Sequence, residues 1–212
     1  MKILIACEFS GIVRDAFIAK GHDAISCDLL PSDRPGPHYQ GDVFDIINVG
    51  FDMMIGFPPC TYLTVTGNKW FYHPDDKELP VEQRRPHPRF PARQLHRQQA
   101  IEFFMKLADA DIPKICIENP VGIMSTRWRK PDQIIQPYQF GHPEPKKTCL
   151  WLKGLPLLAS TKIVEPEYMI TKSGKRVPKW FFAPSNTPER AKLRNTTFTG
   201  IANAMSSQWS NL

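Results

Sequence analysis

The stretch Gly56-Phe57-Pro58-Pro59-Cys60 sets a thiol directly after two prolines. Each proline fixes its own φ, so the thiol is presented from a stiff turn. A thiol held in that way is a candidate nucleophile. The alternative is a buried structural cysteine. That reading suits Cys7, Cys27, Cys116 and Cys149, which sit in or beside apolar runs, and suits Cys60 poorly. A second feature is the run Ile115-Cys116-Ile117-Glu118-Asn119-Pro120, which ends a hydrophobic segment on a carboxylate. Burial of that acid costs free energy unless it is paired or protonated. Glu118 therefore reads either as a proton-carrying catalytic group or as a salt-bridged or capping acid.

A third constellation points to a cofactor. Glu8-Phe9-Ser10-Gly11 follows the apolar run Lys2 to Cys7 and precedes an amphipathic stretch, Ile12 to Lys20. A strand, a glycine turn and a helix let backbone amides approach a ligand closely. Asp28 ends the next apolar run and is placed to accept hydrogen bonds from a ribose. Asp42-Val43 offers an acceptor beside an apolar wall, which suits an adenine. The dinucleotide pattern G-x-G-x-x-G is absent.

These residues need a scaffold that gathers strand ends. Short apolar runs at Lys2–Cys7, Ala24–Cys27, Phe51–Ile55, Ile112–Ile117 and Thr148–Leu152 read as strands. Arg93 to Ala110 has helical periodicity, with Ile101, Phe104, Met105 and Ala108 on one face, and Phe198 to Trp209 reads as a short helix. The β-α-β alternation predicts an α/β fold of Rossmann-like type, a mostly parallel sheet with helices on both faces. Ligands of such sheets bind beyond the carboxyl ends of the strands.

The 212 residues suit one domain with a sizeable core. The expected division is a catalytic, cofactor-binding domain over 1–158, a small basic and aromatic recognition segment over 159–197, and a helix over 198–212 that returns to the catalytic domain. The chain carries a net charge of +6, which attracts polyanions. Basic residues concentrate between Arg84 and Arg97 and between Lys172 and Lys179, the latter followed by Trp180, Phe181 and Phe182. Both segments are expected to form basic surface beside the pocket, the alternative being solvated loops. Many of the 21 prolines lie between Pro74 and Pro91 and between Pro131 and Pro145, which predicts long ordered loops there. An odd number of cysteines, five, without a C-x-x-C pair predicts reduced thiols and no metal site. No run approaches the ~18 apolar residues of a membrane span, so no membrane partner and a cytoplasmic location are expected. A monomer is expected.

The order of these motifs resembles the cytosine-5 DNA methyltransferase family over most of the chain. Phe9-Ser10-Gly11 is similar to that family's cofactor turn, Asp28 to its ribose-binding acid, and Gly41-Asp42-Val43 to its adenine-binding segment. Gly56 to Cys60 resembles its catalytic loop, with Pro59 beside the cofactor, and Glu118-Asn119 its second catalytic pair. Gly200-Ile201-Ala202-Asn203-Ala204 is similar to the start of its last helix, which implies that Asn203 and Ala204 close over the cofactor. The resemblance implies S-adenosyl-L-methionine as cofactor, duplex DNA as partner, and methylation of cytosine carbon 5 through a covalent adduct on Cys60. The family's Gln-x-Arg-x-Arg strand is not intact. Pro145-Lys146-Lys147-Thr148 stands in its place, so Lys146 and Lys147 are expected substrate contacts, together with Arg84 and Arg85. The short region after Gly154 leaves two alternatives open: the same chemistry on a free pyrimidine nucleotide or RNA, or a non-catalytic nucleic-acid-binding relative.

Overall fold

The computed structural model describes residues 1–179 and 196–212. Its frame is a mixed, mostly parallel sheet in an α/β arrangement. Seven strands have the order β3-β2-β1-β4-β5-β7-β6. They span Lys2–Ala6 (β1), Asp23–Asp28 (β2), His38–Gln40 (β3), Met53–Gly56 (β4), Lys114–Pro120 (β5), Gln133–Ile135 (β6) and Thr148–Lys153 (β7). β1 to β5 run parallel, whereas β7 is antiparallel to both β5 and β6.

The strands are short because both faces are buried and only apolar runs can serve. In β1, Ile3 and Ile5 join a core shared with Val13, Phe17, Met205 and Trp209. Leu4 and Ala6 join the opposite core, with Phe104, Leu107, Ile117 and Trp151. The period-two alternation of the strand thus feeds two cores at once.

Among the described residues, four α-helices cover the faces: α1 (Ile12–Ile18), α2 (Arg93–Ala108), α3 (Met124–Arg127) and α4 (Thr199–Trp209). The chain leaves β1 towards β2 in one direction along the sheet and leaves β4 towards β5 in the other. Right-handed crossovers in opposite directions put their helices on opposite faces. Accordingly α1 packs with α4 on one face and α2 lies on the other.

Three details differ from the expectations. Glu118 does not end its strand, since β5 continues through Pro120 and pairs antiparallel with β7. The proline-rich stretch 131–145 includes a strand, β6, which is possible because it is an edge strand that follows Pro131. The buried face of α2 includes Leu107 as well as Phe104, while Ile101, Met105 and Ala108 are only half-buried.

A separate two-stranded ribbon is formed by Tyr168–Ile170 (β8) and Arg176–Pro178 (β9). Trp180, Phe181 and Phe182 lie outside the described residues, as does most of the later part of the 159–197 segment. No helix among the described residues is long and apolar enough to cross a membrane.

Candidate active site

β1 and β4 are parallel neighbours with Ala6 opposite Gly56, and their chains depart in opposite directions. Such a switch point opens a crevice at the carboxyl ends of the strands. A cavity of about 250 Å³ occupies it, and Phe9, Asp28, Cys60, Glu118, Asn119 and Lys146 line it. An adjoining slot of about 170 Å³ is lined by Asp28, Asp42, Val43, Pro59 and Phe103. Cys7, Asp28 and Pro59 border both spaces.

Cys60 is four residues beyond β4, half-buried, and followed at once by a turn. The Leu63 and Thr64 amides both donate to its carbonyl at 3.0 Å. Upstream, the buried Asn119 side chain donates from Nδ2 to the Pro58 carbonyl at 2.8 Å. Asn119 thus clamps the turn that presents the thiol, a positioning contact across two strands. The other cysteines are poor nucleophiles. Burial pushes Cys27 up to about 12 and Cys149 up to about 11, in each case with help from nearby carboxylates. Cys7 and Cys116 are raised further, again mainly by burial.

Glu118 lines the cavity from β5, half-buried. Burial raises its pKa above the usual carboxylate range, while the Lys146 ammonium and the Thr148 hydroxyl pull it down. The result is a carboxyl that keeps a proton more readily than a solvated one, beside a cation. Lys146 reaches the cavity because β7 is antiparallel, so the residues before its first strand position, Thr148, arrive at the carboxyl edge of β5.

The segment Glu8 to Gly11 is used differently from its expected role. Only Phe9 borders the cavity. Buried Glu8 accepts from the Val13 amide at 2.8 Å and from the Ser10 hydroxyl at 2.9 Å, and so caps the start of α1. Ser10 belongs to that cap and lines neither space. Gly11 has φ +70, and a Cβ there would lie 2.5 Å from the Arg14 guanidinium. Its glycine is required by that contact and by the left-handed backbone. Asp28 accepts the Leu30 amide with Oδ1 at 2.9 Å, and no described residue hydrogen-bonds its second oxygen. Asp42 accepts the Phe44 amide at 3.0 Å.

From α4, Ile201 and Met205 border the cavity, one turn apart. Asn203 is exposed on the far side and Ala204 is packed in the core, so the helix closes the site with two apolar side chains instead. The His142 Nε2 accepts the Gly200 amide at 2.9 Å and anchors that helix. Gly200 lies against the Phe140 carbonyl, where a Cβ would overlap it.

The two expected basic surfaces diverge. The 84–97 run largely braces its own loop. Arg85 forms an ion pair with Asp76 at 2.6 Å, and Arg84 donates to the Leu79 and Lys77 carbonyls. Arg93 and Arg97 donate to the Thr61 and Tyr62 carbonyls, which fastens the chain just after Cys60 to α2. Neither Arg84 nor Arg85 lines the cavity, and Lys147 is exposed outside it. The 172–179 segment instead forms the β8–β9 ribbon. Lys172 and Lys175 stand exposed at its turn, and Arg176 lies 3.9 Å from the Tyr168 ring centre. The base of the ribbon is pinned by the Glu167 amide donating to Pro143, a short step along the chain from Lys146.

Sequence reading missed Cys7, Thr148, Phe198, Ile201 and Met205 as cavity residues. Cys7 carried no signal because its left-handed backbone, φ 59, is not legible from residue type. Ile201 and Met205 were available from helical spacing, being four apart on the face opposite Asn203. Among the described residues, no group of three or more His, Cys, Asp or Glu could hold a metal ion. No protein-family model matches the chain, and no curated protein matches it significantly.

Proposed function

We propose that the chain is an S-adenosyl-L-methionine-dependent methyltransferase acting on carbon 5 of cytosine in DNA. One observation carries the reading: Cys60 and Glu118, from separate segments, line a single cavity that also holds Lys146 and adjoins an apolar, acid-edged slot. The mostly parallel sheet of the α/β frame is compatible with the Rossmann-like fold that the sequence resemblance implies.

The slot fits the nucleoside part of the cofactor. Val43, Pro59 and Phe103 supply apolar walls, Asp28 has an oxygen unengaged by described residues, and Asp42 stands at the edge. Bound there, S-adenosylmethionine would supply an electrophilic methyl group. Cys60 adds as the thiolate to carbon 6 of the base, which makes carbon 5 nucleophilic. Glu118, whose carboxyl burial makes easier to protonate, donates to the ring nitrogen that gains electron density. Lys146 supports the negative charge that builds beside it. Loss of the carbon-5 proton restores the double bond and expels the Cys60 thiolate. Within duplex DNA the base must first leave the stack.

The test is a DNA duplex carrying 5-fluorocytosine, incubated with cofactor. Fluorine cannot leave as a proton does, so a covalent complex should accumulate on Cys60. Mass spectrometry should place the adduct there, and Cys60→Ser should form none. A wild-type protein that binds neither S-adenosylmethionine nor S-adenosylhomocysteine would remove this reading.

A further inference from the structure

The segment Leu29 to Pro37 joins β2 to β3 and contains Pro31, Pro35, Gly36 and Pro37. It has no regular secondary structure, and every side chain in it except Ser32 is exposed. Burial therefore does not hold its shape. Yet its first residues, Leu29 and Leu30, border the two spaces of the site, and Asp28 precedes them directly.

The segment is held at its start by Gln40 and His38, which meet the Leu29 and Leu30 carbonyls at 3.2 and 3.0 Å, and over the rest of its length chiefly by one side chain of α1. Arg14 is fully buried, with 0% exposure. Its Nη2 donates to the Pro35 carbonyl at 2.9 Å and to the Arg34 carbonyl at 3.3 Å. Its Nη1 donates to the Ser32 hydroxyl at 3.1 Å, the Ser26 hydroxyl at 3.2 Å and the Pro37 carbonyl at 3.4 Å. Among the described residues Asp15 pairs with the charge, through Nε at 2.9 Å and Nη2 at 2.8 Å, and the buried Glu8 carboxyl interacts with it more weakly. The two glycines that face the guanidinium are shaped by it. A Cβ on Gly36 would lie 2.8 Å from its Cζ, and one on Gly11 would lie 2.5 Å from its Nη2. Further ties come from the Asp33 amide, donating to the carbonyl of Phe9, itself a cavity residue, at 2.8 Å, from the Ser26 amide, donating to the Pro37 carbonyl at 3.2 Å, and from Arg34, which approaches Asp15 at 3.5 Å.

Burying a cation costs free energy that an apolar residue of like volume would not, so a buried arginine is weak as a stabiliser. Its five donors in a fixed fork are instead suited to fixing a set of carbonyls in one arrangement. We infer that Arg14 is a positioning residue for the cofactor: by holding the 29–37 segment it sets Asp28, Leu29 and Leu30 in their binding geometry. The inference rests on the methyltransferase reading for the identity of the ligand.

The experiment measures S-adenosylhomocysteine affinity by calorimetry for wild type, Arg14→Met, Arg14→Lys and Gly36→Ala. Hydrogen exchange and the alkylation rate of Cys60 are followed in parallel. If the segment is ordered only a tenth of the time without its clamp, the affinity falls about tenfold, since apparent affinity scales with the competent fraction. Arg14→Met and Gly36→Ala should show that loss, with faster exchange confined to 29–40. Exchange in β1, β4 and β5, and the reactivity of Cys60, should stay as in wild type. Arg14→Lys, which keeps charge but not the fork, should fall between. Should Arg14→Met fail to fold, Gly36→Ala decides, because it crowds the same guanidinium from an exposed position. Unchanged affinity in Gly36→Ala, or a loss accompanied by faster exchange throughout the sheet, overturns the inference. Absence of binding in wild type counts against the methyltransferase reading instead.

Discussion

The Asn119 amide and the Pro58 carbonyl, 2.8 Å apart, join the strand that carries Glu118 to the turn that carries Cys60. Asn119 is 1% exposed, and its Oδ1 accepts no hydrogen bond among the described residues. Asn119→Ala should free the turn, including Pro59 at the edge of the cofactor slot, while Asp28, Asp42, Val43 and Phe103 stay in place. Displacing a reacting group slightly costs on the order of 10²-fold in rate. We expect kcat to fall by roughly that factor, with a much smaller loss of S-adenosylhomocysteine affinity. Equal loss of both would show that Asn119 supports the whole crevice and not the turn alone.

Glu118 links activity to stability. Because burial raises its pKa, the folded chain holds the proton more tightly than the unfolded chain does. Its contribution to stability is complete below the unfolded value and is lost as pH rises through the folded one. Glu118→Gln removes that titration. Its melting temperature should match wild type in acid and exceed it in mild alkali, whereas methyl transfer should fall roughly 10²–10⁴-fold. Glu8, also raised by burial, is common to both proteins and cancels from the comparison. A variant less stable than wild type across the range would mark Glu118 as a structural ion-pair partner.

Lys146 and Lys147 should separate cleanly. Lys146 pulls the Glu118 pKa down, so Lys146→Ala should let it rise further. A rate that needs protonated Glu118 would then persist to higher pH, and its alkaline limb should move upward. Lys147→Ala, at an exposed position outside the cavity, should leave the limb in place. Identical pH profiles for both variants would argue against Lys146 as the neighbour of the acid.

The β8–β9 ribbon has the character of a polyanion contact. No acidic residue occurs between Tyr168 and Lys179, while Lys172, Lys175 and Arg176 all do. Its turn is preformed, with Gly174 at φ +76 and the Thr171 amide donating to Lys175 at 2.9 Å. A two-stranded ribbon fits the major groove of B-form DNA and not the deep, narrow one of RNA duplexes. Replacing any one of the three cations by alanine should reduce the salt dependence of duplex binding by about one unit of slope. Unaltered slopes in all three variants would remove the ribbon as the DNA contact of the proposed function.

The frame was legible in the sequence because β1, β4 and the middle of β5 are apolar runs buried on both faces. The ends of the apolar runs in β4 and β2 located Cys60 and Asp28. Glu118 was harder, since a polar residue inside a strand reads as its end when an antiparallel partner is not foreseen. Arg84 and Arg85 show a different limit. Residue type records the charge on a side chain, but only the backbone carbonyls and Asp76 nearby show that the charge is turned inward to the loop. Asn203 and Ala204 failed by rotation: the helix is where the motif implied, turned so that Ile201 and Met205 face the cavity.

The antiparallel course of β7 has an evolutionary reach. Phe9 and Cys60 enter the site from the chain that follows a strand, and Asp28 from the last residue of one, so a change of length there disturbs whatever follows. Lys146 enters ahead of a strand whose register is fixed downstream, from Thr148 opposite Pro120 to Lys153 opposite Ile115. Exchanging Lys146 therefore changes the surroundings of Glu118 without altering the register of the sheet, so under the proposed function it is the point at which the preference for a base would be retuned while Cys60 and Glu118 stay as they are.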